Sequence, residues 1–236
     1  KRIGQGYAEV ITPGSVVVGN DIRLTSKSIK AALIDGLREQ GVDVVDIGQC
    51  GTEEIYFATS HLEVGGGICV TASHNPKDYN GMKFVRAESK PISGDSGLKD
   101  IQAKAEGGVF SPAAAPGSYD AVDTSDAYIQ HLLSYIDIDA LQPLKIVCTA
   151  GNGGAGRVLD LLEAHLPFDF IKLHHEADGH FPNGVPNPML EENRIASAEL
   201  VRETGADMGI AWDGDFDRCF FYDHTGAFVE GYYVVG

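Results

Sequence analysis

The sequence predicts an α/β protein built from two similar halves. Short apolar runs alternate with helix-period stripes, and the alternation restarts after a glycine-, alanine-, serine- and proline-rich stretch at 107–116. In each half, one strand also runs straight into a chemically loaded loop.

In the first half, Val16–Gly19 reads as a short buried strand. Ile29, Ala32, Leu33, Gly36 and Leu37 then form an i, i+3, i+4, i+7, i+8 stripe, one helix face, which Gly41 stops. Val42–Ile47 is a second strand. Thr52 is the expected cap of the next helix, with Glu53 and Glu54 in the first turn, where the helix dipole favours acids. Gly67–Thr71 is the strand that delivers Thr71-Ala72-Ser73-His74-Asn75-Pro76.

The stretch at 107–116 marks a linker or a domain boundary. A helix over Ser125–Ile136 follows, with Tyr128, Leu132 and Ile136 on one face. Lys145–Cys148 is a strand, Ala155–His165 a helix and Phe168–Leu173 a strand. Asp178–Pro188, with its prolines and asparagines, is a structured loop. A helix at Ala196–Glu203 leads to the strand Ala206–Trp212, which presents Asp213-Gly214-Asp215-Phe216-Asp217-Arg218. Phe220–Tyr222 and Phe228–Glu230 flank Asp223–Gly226 as a hairpin. The halves share no residue-level repeat.

With 236 residues and 43% hydrophobic content, the chain can bury a substantial core. It has no apolar run long enough to span a bilayer, and Lys1-Arg2-Ile3-Gly4 does not open a signal peptide. The first residue is not methionine and the last ones form an apolar run, so a piece of a longer protein is expected. Cys50, Cys69, Cys148 and Cys219 are widely spaced with no C-x-x-C pair; reduced thiols in a cytoplasmic protein are the expectation. A net charge of −16 argues against nucleic-acid partners and anionic membrane surfaces. Against that background Lys77, Lys83, Arg86 and Lys90 cluster after the serine turn, either to receive an anion or to protect a strand edge.

Two loops about 140 residues apart carry the chemistry. Asp213, Asp215 and Asp217 alternate, so a turning loop can converge their carboxylates on one hard cation, with coordination positions left for water or a phosphate oxygen. An EF-hand is excluded, because its glycine and glutamate positions hold Arg218 and His224. A magnesium phosphatase using Asp213 as nucleophile is the better rival. Ser73 lacks the G-x-S-x-G setting of hydrolases, and His74, adjacent in sequence, is expected to point elsewhere. A phosphoserine, three aspartates and one divalent ion would leave about three negative charges, which Arg218 and Lys83 are placed to offset. Gly151–Gly156 matches G-x-G-x-x-G between a strand and a helix, with Asp169 beyond it. A nucleotide-binding reading is therefore a second rival, although Asp169 sits within an apolar strand. A Walker loop is excluded, since Arg157 and Val158 follow Gly156.

T-A-S-H-N-P at 71–76, Asn80-Gly81-Met82-Lys83 and D-G-D-F-D-R at 213–218 resemble the α-D-phosphohexomutase superfamily. Gly51–Tyr56, Pro91–Asp95 and Glu230–Tyr233 are most similar to its bacterial-type phosphomannomutase/phosphoglucomutase branch. The resemblance implies two three-layer α/β/α domains with mixed, mostly parallel sheets. Domain 1 would span 1–117 and carry the serine loop, domain 2 would span 118–229 and carry the metal loop, and 230–236 would begin a third. It implies a phosphoryl group carried on Ser73, which also gives an oxygen to Mg2+ held by Asp213, Asp215 and Asp217. Lys83 and Arg218 would contact the transferred group, with Lys83 a candidate base and His74 and Asn75 shaping the loop. The implied reaction is reversible transfer between C6 and C1 of a hexose phosphate, through a hexose 1,6-bisphosphate. Family members have four domains, so these 236 residues are expected to bind magnesium and accept phosphate but to turn over poorly.

Overall fold

Val16, Val17 and Val18 are all fully buried, so the first strand, β1 (Ser15–Asn20), needs cover on both faces. In the computed structural model, which describes residues 1–235, helices supply that cover. Val16 and Val18 face a cluster built from Tyr7 and Ala8 of α1 (Arg2–Ile11), Leu33, Ile34 and Leu37 of α2 (Ser26–Glu39), and Ile101. Val17 faces Ile55 and Ala58 of α3 (Thr52–His61), together with Cys50 and Cys69. Alternation along one strand thus builds three layers.

The first sheet adds β2 (Asp43–Gln49), β3 (Gly66–Val70), β4 (Met82–Arg86) and β5 (Tyr119–Ala121) in the order β4-β3-β1-β2-β5. Only β4 is antiparallel to its neighbour. The second sheet holds β6 (Lys145–Thr149), β7 (Asp169–Leu173), β8 (Met208–Trp212), β9 (Cys219–Tyr222) and β10 (Phe228–Val229), ordered β10-β9-β8-β6-β7. Its faces are covered by Leu159 of α6 and by Val201 of α7, helices that span Ala155–Glu163 and Ile195–Thr204. The four strands β4-β3-β1-β2 and β9-β8-β6-β7 repeat one topology, parallel except for the first-named pair of each set. The similarity expected of the halves is therefore one of connectivity.

Several expectations change. The helix α1 was not anticipated, because its two glycines, Gly4 and Gly6, interrupt an apolar face that Tyr7, Val10 and Ile11 nonetheless pack against the core. Thr52 does not cap α3: Gly51 is the N-cap, and its N–H donates to Glu54 Oε2 at 2.9 Å. The helix expected over 125–136, here α5, ends at Leu133. The stretch at 107–116 is no linker. After α4 (Lys99–Gly107) it passes the carboxyl end of α2, with Ala113 N–H on Glu39 O and Gly117 N–H on Arg38 O, both 2.9 Å. It delivers β5, which pairs parallel with β2, so Tyr119–Ala121 belong to the first sheet and not to the second domain. Two compact units result: Lys1–Thr71 with Asn80–Tyr128, and Ala72–Tyr79 with the chain from Ile129 onward.

Among the described residues no helix is long and apolar enough to cross a membrane. The four cysteines are free thiols; burial pushes Cys148 up to about 12.

Tyr7 joins α1 to the sheet by one buried bond, its hydroxyl donating to Val85 O at 2.8 Å. Tyr7→Phe is expected to lower the unfolding free energy by about 1–2 kcal/mol, and Tyr7→Ala by about 3–5 kcal/mol. Urea denaturation with an unchanged m-value checks both.

Candidate active site

Both loaded loops occupy the same place in the repeated topology. The serine loop joins β3 to β4, and the acidic loop joins β8 to β9. Each thus leaves the carboxyl end of a strand beside the point where strand order reverses, the usual crevice for ligands in open α/β sheets.

Residues Ala72–Tyr79 cluster with the second unit. Asn75 closes the turn twice, its backbone N–H and its side-chain amide each 2.9 Å from Ala72 O. Ser73 inside that turn has φ 52°, in the left-handed region where a residue with a Cβ is strained. This conformation corrects the expectation for His74. Its Nδ1 lies 3.2 Å from Ser73 Oγ, because left-handed backbone brings the two adjacent side chains to one side.

The acidic loop is pinned by its own ends. Arg218 N–H donates to Asp213 Oδ1 at 3.2 Å, and Phe216, with φ 46°, takes the left-handed step. The three carboxylates present ligand atoms all within 4.8 Å of one another, with Asp213 and Asp215 fully buried. Ser73 is also buried, and its hydroxyl donates to Asp213 Oδ2 at 2.6 Å. Arg218 Nη2 donates to Ser73 Oγ at 2.8 Å, and Arg218 Nε to Asp213 Oδ2 at 3.1 Å. The same guanidinium contacts His74 Nδ1 and lies 3.6 Å from Asp217 Oδ1. Ser73, His74, Asp213, Asp217 and Arg218 therefore form one contact network, with Asp215 beside it in the carboxylate cluster. Asn75 supports the network through the backbone.

Lys83 lies elsewhere in the chain's organisation, in β4 of the first unit, opposite Cys69 and so on the sheet face that α3 covers. Of the other cations grouped with it, Arg86 donates to Ser96 O and Lys90 pairs with Glu88 at 2.7 Å.

Burial, then the neighbouring Asp215 carboxylate, raise the Asp213 pKa, while Ser73 and Arg218 oppose the rise. Three carboxylates with one arginine carry −3 + 1 = −2 formal charges, with Asp213 and Asp215 buried and Asp217 and Arg218 partly exposed. An all-oxygen donor set of that charge suits a hard divalent cation.

The glycine turn at 151–156 packs against this loop. Gly154 N–H donates to Gly214 O at 3.2 Å, and a Cβ on Gly153 would lie 2.9 Å from that oxygen. A Cβ on Gly214 would in turn come within 2.6 Å of Ser73 O. Gly214 thus permits a close approach of the serine loop. Asp169 begins β7, at the end of the sheet opposite to the glycine turn. The spacing that suggests a dinucleotide site therefore serves packing, and both features a ribose would need lie apart.

Sequence pattern did not single out Pro186 and Met189, from the loop after Asp178. Pro186 packs over Gly151, and Met189 Sδ lies 3.8 Å from Arg218 Nη1. Only the proline content of that loop hinted at a fixed structure.

Two domain models of one family match the chain in series. They are phosphoglucomutase/phosphomannomutase α/β/α domain I over residues 1–110 and domain II over residues 126–226. A phosphomannomutase of Salmonella typhimurium (strain LT2) is 59% identical over 242 residues, covering 100% of this chain and 53% of that protein. A Xanthomonas campestris pv. campestris (strain B100) protein named for phosphohexose mutases is 57% identical over 240 residues, with the same two coverages. Among solved structures, a phosphoglucomutase/phosphomannomutase family protein from Burkholderia thailandensis matches with a TM-score of 0.89 at 34% identity. That match covers 98% of this chain and 51% of the other. The chain spans about half the length of the curated relatives it matches.

Gly153→Ala would drive a methyl group against the Gly214 carbonyl, and backbone there cannot yield as a flexible side chain can. Divalent-cation affinity, followed by Mn2+ titration, is expected to fall about 10-fold or more while the chain stays folded.

Proposed function

The chain belongs to the phosphoglucomutase/phosphomannomutase family, and on that premise we propose that it carries the phosphoryl-transfer half of a hexose-phosphate mutase. The reaction is reversible movement of phosphate between C6 and C1, with mannose 6-phosphate and mannose 1-phosphate the leading pair and glucose phosphates next. The observation that carries this reading is Ser73 Oγ, 2.6 Å from Asp213 Oδ2 within a cluster of three carboxylates.

In this reading Ser73 holds the phosphoryl group. Its bond to phosphorus breaks as a sugar hydroxyl forms a new one, giving the hexose 1,6-bisphosphate and a free serine hydroxyl. The sugar then presents its other phosphate, which returns to Ser73 and leaves the isomerised monophosphate. Asp213, Asp215 and Asp217 would hold Mg2+, with an oxygen on Ser73 completing its protein ligands. When bound, the ion supplies positive charge where the transferred oxygens become more negative. Arg218 already donates to Ser73 Oγ, and its planar fork suits phosphate oxygens. Lys83 is the candidate base for the sugar hydroxyl proton. His74 and Asn75 fix the loop that sets the serine's aim.

The left-handed backbone at Ser73 supports the same reading, since strain of this kind persists only where surroundings over-determine it. In this reading the serine loop supplies the phosphoryl carrier and the acidic loop the metal ligands, and the division between the two domains is proposed to follow β5, near residue 124. The compartment proposed is the cytoplasm, where sugar phosphates are found.

Incubation with glucose 1,6-bisphosphate and Mg2+ is expected to add about 80 Da to the chain, mapping to Ser73. Ser73→Ala should abolish the addition, and Asp215→Asn should slow it at least ~100-fold. Arg218→Lys keeps the charge but loses the fork, and is expected to slow the reaction by about 10-fold or more. Phosphate found on Asp213 instead of Ser73 would point to a phosphatase of the aspartyl type.

A further inference from the structure

The largest fully buried side chain in the protein is a charged one, Arg23, which is 2% exposed. It lies beside Asp21, 4% exposed, with Nε 3.5 Å from Oδ2. Burying an ion pair rarely gains stability over well-packed apolar residues of similar volume, because both charges lose their water. Its position gives the better reason. Asp21 follows β1, and its N–H donates to Val70 O at 3.0 Å, at the last residue of β3. From there Asp21 reaches both ends of the serine loop's neck.

One end is Thr71, 3% exposed, which hydrogen-bonds the Asp21 carboxylate. The other is Asn80. Its side-chain amide donates to Ser26 Oγ at 2.9 Å, and Ser26 in turn donates to Asp21 Oδ1 at 2.5 Å. Thr25 Oγ1 accepts from the same amide at 2.9 Å. Thr71 N–H on Gly81 O, at 3.0 Å, closes the neck between them. All of these residues belong to the first unit, and the loop emerges between Thr71 and Asn80. Arg23 N–H donates to Asp21 Oδ1 at 3.0 Å, so the aspartate cannot rotate without losing several partners together.

We propose that Asp21, held by Arg23, is a positioning residue for the Ser73 loop, fixing both sides of its neck through Thr71 and through Ser26 with Asn80. The proposal rests on the reading of Ser73 as phosphoryl carrier. A loop that carries a reacting group needs its base fixed, since a displacement of about 1 Å can cost ~100-fold in rate.

The test compares Asp21→Asn and Ser26→Ala with Asp46→Asn, all in the full 236-residue chain. Asp46 belongs to another mostly buried pair in the same sheet, 2.7 Å from Lys30, and does not touch the neck. Hydrogen exchange at the Asn75 and Tyr79 amides reports the loop, and glucose 1,6-bisphosphate at saturation reports phosphorylation of Ser73. Asp21→Asn and Ser26→Ala are expected to speed exchange and slow phosphorylation, each by about 10-fold, with Asp46→Asn changing neither. If Asp21→Asn does not fold, Ser26→Ala carries the comparison. Unchanged exchange in the folded neck variants, or an equal change in Asp46→Asn, overturns the proposal. If the unaltered chain takes no phosphate, the functional reading fails, and the exchange measurement alone decides the anchor.

Discussion

One hydrogen bond, from Ser73 Oγ to Asp213 Oδ2, sets the terms for the rest of the site. It spans 140 residues of sequence and joins two buried residues. Placing a hydroxyl there requires its loop to adopt a left-handed residue, and requires the acidic loop to carry glycine where the serine carbonyl approaches. The acidic loop then needs glycines beneath it, at 153 and 154, so that α6 can start against the Gly214 carbonyl. Each of these residues answers a steric demand created by the previous one.

Charge sets a second constraint. Burial first, and then the neighbouring Asp215 carboxylate, push the Asp213 pKa up. Arg218 offsets part of the rise while touching the hydroxyl, the carboxylates and His74. The remaining charge suits a divalent ion. The repeated sheet topology explains how two separate loops come to be equivalent in kind: the same strand of each half, leaving at its carboxyl end, supplies one of them.

The α/β class and most strands were legible because apolar runs such as Val16–Val18 and Ile146–Cys148 admit few other readings. The two loops were legible because Ser73 and the aspartates at 213, 215 and 217 follow such strands directly. What escaped depends on contacts that local pattern does not encode. Helix α1 packs Tyr7, Ala8, Val10 and Ile11 into the core, and Tyr7 also reaches Val85, 78 residues away. The 107–116 stretch looks like a linker in composition but follows the backbone of Glu39 and Arg38 to a sheet edge. The direction of His74 turned on a single backbone angle at Ser73, and the meaning of Gly153 and Gly154 turned on a loop about 60 residues later. Asp21 and Arg23 carry no pattern that marks them in sequence, and they are nearly inaccessible in the fold.

Anomalous diffraction from crystals soaked in Mn2+ tests the central claim most directly. A single ion is expected about 2.0–2.3 Å from oxygens of Asp213, Asp215 and Asp217, with the oxygen borne by residue 73 as a further ligand. An ion bound by the aspartates while residue 73 lies well outside its coordination sphere, or an ion bound elsewhere, would contradict the account.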